Sequence, residues 1–326
     1  MCYPLFKEYG KPVLKKRKTP LKKRLKKDFS FFILLFLLAF GIIFNEVFYM
    51  SNFIDEFYDI PRNKKVRKSN ELIQKSRFNL SLQQQKIILF LISQITPYDE
   101  EFKTYHFNII EFCNICGIDI KGGKSYEELK DNIKAIADKS MWITLPDNKN
   151  KETLFRWIEA PVIEKNSGII ELKLNQALKP YLIQLRENFT QYDIVFTLLF
   201  KSKYSIRLYE LIKSIHYDED KTFTKDFTID ELKALIGAET YKTYQDFKRF
   251  ALIPAIDEIN KTSDKIITYT PIKKGRKFDI IRLTISTKEV VERMKARVIA
   301  EKLLDKQITF FDDEDLYKEF AEATTK

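Results

Sequence analysis

The chain has 326 residues, 44% hydrophobic and 32% charged, with only 8 glycines and 10 prolines. That length suits two domains, and that composition excludes a disordered or collagen-like chain. Three cysteines, Cys2, Cys113 and Cys116, exclude a disulfide-built secreted scaffold. The formal net charge is +11, but residues 1–28 alone hold 11 basic and 2 acidic residues. The other 298 carry 46 basic and 44 acidic residues. The global charge therefore says little about nucleic acid, and local clusters must carry that argument.

Residues 1–49 form a basic and apolar leader. A Lys/Arg-rich stretch precedes fourteen apolar or small residues, Phe31–Phe44, before Asn45 and Glu46 interrupt. Three readings fit. The leader is an extended start, with the functional chain beginning at Met50. It is a membrane segment, with residues 29–49 as a short span and the basic end held inside. Or it is a signal peptide, for which no small-residue cleavage site follows. Residues 50–69 read as an N-terminal arm.

From residue 70 the chain repeats itself at an offset of 120. Phe107, Ile109, Phe112, Ile115 and Gly117 match Phe227, Ile229, Leu232, Leu235 and Gly237. Leu91, Ile92 and Ile95 match Leu211, Ile212 and Ile215, and Lys124–Lys130 lies over Lys242–Lys248 at 118. Two copies of one domain follow, residues 70–200 and 201–286, with a C-terminal helix and acidic tail over 287–326.

In the first copy Ser81 caps a helix through about Ser93. Tyr105–Ile109 is a strand and Ile110–Cys116 a helix closed by Gly117. Ser125 and Glu128 form a capping box for a helix to about Lys139. Trp142–Leu145, Thr153–Ile158 and Gly168–Leu174 read as strands of an enlarged wing, and Asn175–Leu185 as a helix. Cys113 and Cys116 make a single CxxC with no second pair to complete a zinc site, so they read as small buried helix residues. Gly117–Ser125 resembles a phosphate loop, but its spacing is one residue too long and no strand leads into it. His106 and His216 form no paired-histidine metal motif. No catalytic residue, metal site or cofactor is expected.

In the second copy Ser205–Ile215 is an amphipathic helix. Lys201, Lys203 and Arg207 lie near its start, where acids are the usual choice. Phosphate contact explains this placement, and so does a solvated basic turn. After Phe227–Gly237, a long helix begins at Thr243 or Tyr244, just past Lys242. Phe247, Phe250, Ala251, Ala255, Ile256 and Ile259 face inward, which leaves Gln245, Lys248 and Arg249 outward near its N-terminal half. Arg and Lys pair with guanine and Gln with adenine, so these are the expected base readers. Pro254 is expected to kink this helix. Two strands then flank a turn with Lys273, Lys274, Arg276 and Lys277 around Gly275, a charge cluster suited to phosphates. Helix, turn, helix and basic hairpin is the order of a winged helix. The fold expected is α+β, tandem winged-helix domains related by the repeat.

Asn70-Glu-Leu-Ile, Leu80–Ile87, Tyr204-Ser-Ile-Arg-Leu-Tyr-Glu-Leu211, Leu252–Asn260 and Lys274-Gly-Arg-Lys277 resemble the initiator replication proteins of iteron-type plasmids. The resemblance covers about residues 70–286. It implies binding to directly repeated origin sites in double-stranded DNA, origin opening, contacts with host replication proteins and repression of the chain's own promoter. It also implies a homodimer in equilibrium with monomer. The first domain would dimerise and make secondary DNA contacts, and the second would be the main reader. Such a protein acts in the cytoplasm, and a membrane partner follows only if residues 29–49 are a real span. Two other functions fit the residues: a winged-helix transcription regulator without an origin role, and a membrane-anchored interaction protein.

Overall fold

The computed structural model describes residues 64–118, 124–145, 148–164 and 168–309. The leader, the Met50 start, residues 50–63 of the arm, the loop core at 119–123 and the acidic tail lie outside the described residues. Among those described, no helix is long and apolar enough to cross a membrane.

The chain enters through β1 (Lys65–Ser69) and α1 (Asn70–Lys75). The first repeat then comprises α2 (Leu82–Ser93), β2 (Tyr105–Asn108), α3 (Ile109–Cys116), α4 (Lys124–Asp138), the β3–β4 hairpin (Ser140–Leu145, Asn148–Arg156), β5 (Val162–Glu164) and β6 (Ile169–Leu172). A 3-10 turn at Gln176–Leu178, α5 (Lys179–Leu182), β7 (Phe189–Asp193) and α6 (Ile194–Leu199) lead to the second repeat. That repeat comprises α7 (Lys203–Ile215), β8 (Phe223–Thr228), α8 (Ile229–Ile236) and α9 (Tyr244–Phe247). It continues through a π-helical turn at Lys248–Leu252 into α10 (Ile253–Thr262), β9 (Lys265–Lys274) and β10 (Lys277–Thr287). A last helix, α11 (Val290–Thr309), packs back onto α6 and α3 through buried Ala300 and Leu304.

The repeat is structural. Each copy has a three-stranded antiparallel sheet in which the first strand pairs with the last and the middle one lies at the edge, β2-β6-β5 and β8-β10-β9. Phe107 pairs with Ile170 in one sheet and Phe227 with Ile281 in the other. The helices after β2 and β8 both stop at a glycine with positive φ, 68° at Gly117 and 73° at Gly237. Only glycine adopts that conformation without a Cβ penalty, so the stop is written in the residue type. The equivalent helices after β2 and β8 are capped by different residues, Asn108 and Thr228. A capping box closes at Thr228 with Glu231 and, on α2, at Ser81 with Gln84, worth about 1 kcal/mol apiece.

Four expectations need correction. β1 lies inside the stretch read as an arm; Val66 is buried and the strand pairs with β7 across Lys65–Asp193 to Ser69–Phe189. The α4 helix starts at Lys124, one residue before the expected Ser125 start. The enlarged wing is divided: β3–β4 forms its own hairpin, while β5 and β6 join β2. The helix expected over Asn175–Leu185 breaks after Leu182, with Gln184 and Asn188 at φ 51° and 52°.

The second repeat meets β1 and β7, the strands that flank the first, through a buried polar seam. Glu210 on α7 accepts hydrogen bonds from Lys68 of β1 and from the Tyr192 hydroxyl of β7, each at 2.6 Å. Burial alone would raise the Glu210 carboxyl, but Lys68 and Arg207 beside it hold it below the usual range.

Candidate nucleic-acid interface

The second repeat builds a basic face from a helix and a hairpin. Thr243 caps α9: its hydroxyl oxygen accepts from the Asp246 amide at 3.1 Å and its hydroxyl donates to the Asp246 carboxylate at 2.7 Å. Thr243 is therefore occupied in starting the helix. Phe247, Ala251, Leu252, Ala255 and Ile259 are fully buried, which anchors one side of the helix in the core. The opposite side carries Lys242, Gln245 and Arg249, all exposed, and Lys248, half-buried.

Pro254 shapes this face. It has no amide to donate to the carbonyl four residues back, at Phe250. The chain responds with the π turn, in which the Ile253 amide reaches the Lys248 carbonyl, five residues back. The wider turn swings Phe250 outward to 51% exposure, against the inward position its spacing predicts. The proline four residues on was the signal for this, and regular helical periodicity could not carry it.

The wing is the β9–β10 hairpin. Its two-residue loop is Gly275-Arg276, with Gly275 at φ 68° in the first central position, where tight hairpins need a positive φ. Lys274 pairs with Lys277 and Lys273 with Phe278, so four cations bracket the tip. Lys273, Lys274, Arg276 and Lys277 are all exposed. Below the tip the Phe278 ring packs on Tyr244, centroids 5.2 Å apart, and the Lys273 ammonium lies 5.2 Å from the same ring centre. This aromatic contact braces the first residue of the helix against the base of the wing. Among the described residues, no carboxylate stands within ion-pair range of Lys242, Lys248, Arg249, Lys273, Lys274, Arg276 or Lys277. Cations left unneutralised on two braced elements form a surface that attracts a polyanion.

The basic start of α7 differs from expectation. Arg207 is 5% exposed and makes no surface for phosphate. Its guanidinium donates to the carbonyls of Leu235 at 3.0 Å, Ile73 at 3.3 Å and Ser76 at 3.4 Å, and lies 4.3 Å from the Phe78 ring centre. It ties α8 of the second repeat to α1 ahead of the first. Lys203 is half-buried, donating to Asn79 Oδ1 at 3.0 Å, and burial lowers its pKa. Lys201 remains exposed. The amides of Lys201 and Ser202, at this helix start, donate to Glu258 of α10 at 2.6 and 3.3 Å. The acid that a helix N-terminus favours is thus supplied from 57 residues away, which no local pattern displays.

The equivalent face of the first repeat is different in kind. On α4, Glu127, Glu128 and Asp131 are exposed, and Lys130 is paired with Glu127 at 3.3 Å. Cys113 and Cys116 are buried on α3, where burial pushes both thiols up and away from reactivity. His106 lies on the surface, 3.7 Å from Glu171, and His216 is buried, its Nε2 2.7 Å from the Lys221 carbonyl.

Comparison with known proteins agrees with this architecture. Residues 65–213 match the family described as Initiator Replication protein, WH1, and residues 228–285 match Initiator Rep protein, WH2. The chain is 26% identical over 224 residues to a replication initiation protein of Escherichia coli, covering 66% of this chain and 67% of that one. It is 28% identical over 167 residues to the PI protein of Escherichia coli, covering 47% of this chain and 55% of that one. Among solved structures it resembles the Pi initiator protein crystallised with iteron DNA, at TM-score 0.55 and 22% identity, over 70% of this chain and 99% of that one. At that identity the likeness shows the fold, two winged helices in tandem. The chain belongs to the family of initiator replication proteins, with a WH1 domain followed by a WH2 domain.

Proposed function

We propose that this chain is a sequence-specific DNA-binding initiator of plasmid replication that binds directly repeated origin sites through its second winged helix. One observation carries this reading. Lys248 and Arg249 project from the N-terminal half of a helix braced, through Tyr244 and Phe278, against a hairpin tipped by four unpaired cations. In a winged helix that helix enters the major groove, and the hairpin lies along the phosphates. The helix supplies base contacts and the wing supplies sequence-independent attraction. The similarity to a protein solved with iteron DNA supports the choice of repeated sites. The protein acts by binding and not by catalysing a reaction. It works in the cytoplasm, recruits host replication proteins, and represses its own promoter as a homodimer that exchanges with monomer. The first domain dimerises and makes secondary DNA contacts.

The test is a titration of the protein against duplexes carrying repeats found beside its gene and against scrambled versions, across a salt series. The reading predicts tight binding to the repeats alone. Lys274→Ala with Arg276→Ala should weaken binding to both duplexes alike and lower the salt slope by roughly 1 per lost contact. An unchanged slope with an altered sequence preference would show that the tip reads bases. Equal binding of repeat and scrambled DNA by the wild type would overturn the proposal.

A further inference from the structure

Phe250 is an exposed aromatic ring on the face assigned to base reading. A large apolar side chain at 51% exposure is unremarkable alone, but this one is fixed in place. Its ring stacks on Tyr241, centroids 6.1 Å apart and planes 18° apart, and Tyr241 in turn meets Tyr204 of α7 at 6.0 Å. The Arg249 guanidinium lies 5.1 Å from the Phe250 ring centre. The π turn that Pro254 imposes is what brings the ring out beside Arg249, and π turns of this kind recur at functional sites.

A rigid apolar group next to an unpaired arginine matches one feature of the major groove. Thymine presents its C5-methyl there, beside the donors and acceptors of its neighbours, and apolar side chains recognise it by contact. An arginine fork takes the N7 and O6 of guanine. We propose that Phe250 is a specificity-determining residue that contacts a thymine methyl in the major groove, one step from the base contacted by Arg249. This inference rests on the DNA-reading assignment above and adds the base chemistry that the helix selects.

Three properties follow from the geometry. The ring is held by Tyr241 before DNA arrives, so little side-chain freedom is lost on binding. The contact is apolar, so it survives high salt while the phosphate contacts weaken. And it depends on a single methyl group, which chemistry can remove from the DNA without altering base pairing.

The experiment replaces each thymine of the bound repeat, one at a time, by uracil. Affinities of wild type, Phe250→Ala and Phe250→Leu are then measured at one fixed salt concentration. For the wild type, at least one uracil should weaken binding about fourfold, the value of one buried methyl. Phe250→Ala should bind the thymine duplex several-fold more weakly and lose its response to that same uracil. Phe250→Leu, which keeps an apolar group, should retain part of the response. Phe250→Ala that binds as wild type, or that keeps the full uracil response, overturns the inference; the first result would assign the ring to a protein contact. Equal weakening on repeat and scrambled duplex also overturns it, by showing that the ring contributes nothing sequence-specific. A wild type that does not prefer the repeat at all overturns the proposed function and this inference with it. A preference for the repeat without thymine dependence overturns the inference alone.

Discussion

The two winged helices share a framework and diverge at the positions facing away from it. The glycine stops and the sheet order agree between the copies. Yet Ile87 and Phe90 of α2, fully or nearly buried in an apolar core, correspond at the 120-residue offset to Arg207 and Glu210 of α7. One helix closes a core; the other carries a buried charge network that ties α7 to β1, β7 and α8. The outer helices diverge likewise. Acids surround Lys130 on α4, whereas Lys248 and Arg249 stand free of carboxylates. The backbone plan is thus set by a few caps and glycines, and function is set by what the exposed and seam positions carry.

The largest effect is expected where the seam breaks. Arg207→Ala removes a buried cation that satisfies three carbonyls and faces Glu210 at 3.6 Å. Leaving a buried charge and orphaned carbonyls should cost about 3–5 kcal/mol in urea unfolding. A loss no greater than that of a surface arginine would show that the seam does not hold α1 and α8 to α7. The shared framework predicts equal costs instead. Gly117→Ala and Gly237→Ala should each lose about 1–2 kcal/mol, because both sit at positive φ. An added Cβ at Gly237 would meet only the Phe78 carbonyl at 3.6 Å, an ordinary contact, so the cost there is backbone strain. Markedly unequal losses would mean that the two turns are not equivalent.

A smaller effect comes from the carboxylates at the next turn. Asp99 and Glu219 correspond at the same offset. Asp99 accepts from the Thr96 amide at 2.7 Å and pairs with Lys103, a local arrangement. Glu219 gathers Lys213, Lys265 and Arg293 from three elements. Burial works to raise its carboxyl, but the Lys213 hydrogen bond and the Lys213 and Lys265 charges outweigh that and bring it to about 2 from 4.5. A carboxyl lowered on folding stabilises fully above its unfolded value and loses that contribution as pH falls toward the folded one. Glu219→Gln should therefore flatten the loss of stability between about pH 5 and pH 2, modestly, since Glu219 is 41% exposed. An unchanged pH profile would remove Glu219 from the account.

Most of the framework was legible because it rests on local signals. Ser81, Gly117, Gly237 and the Lys273–Lys277 turn each announce a cap, a stop or a hairpin by residue type. What escaped the sequence was non-local or irregular. β1 reads as a basic arm because Lys68, facing in, breaks the alternation of a strand, and only Glu210, 142 residues on, accounts for it. Arg207 reads as a surface cation because its carbonyl partners lie 28 to 134 residues away. Phe250 reads as core because periodicity assumes a regular helix, and the π turn is not one. Lys201, Lys242, Gln245, Lys248 and Arg249 remain available on the surface, with the four wing cations. Thr243 and Lys203 are engaged in capping and in the Asn79 contact.

The central claim is that the second domain is the main reader and the first makes only secondary contacts, because their outer helices carry opposite surroundings. Arg249→Ala and Lys130→Ala, titrated against repeat and scrambled duplexes at one fixed salt concentration, test it most directly. Arg249→Ala should cost about 1–3 kcal/mol on the repeat and much less on scrambled DNA, while Lys130→Ala changes neither by a comparable amount. Equal losses on the two duplexes for Arg249→Ala, or a larger sequence-specific loss for Lys130→Ala, would contradict the assignment of the reading helix.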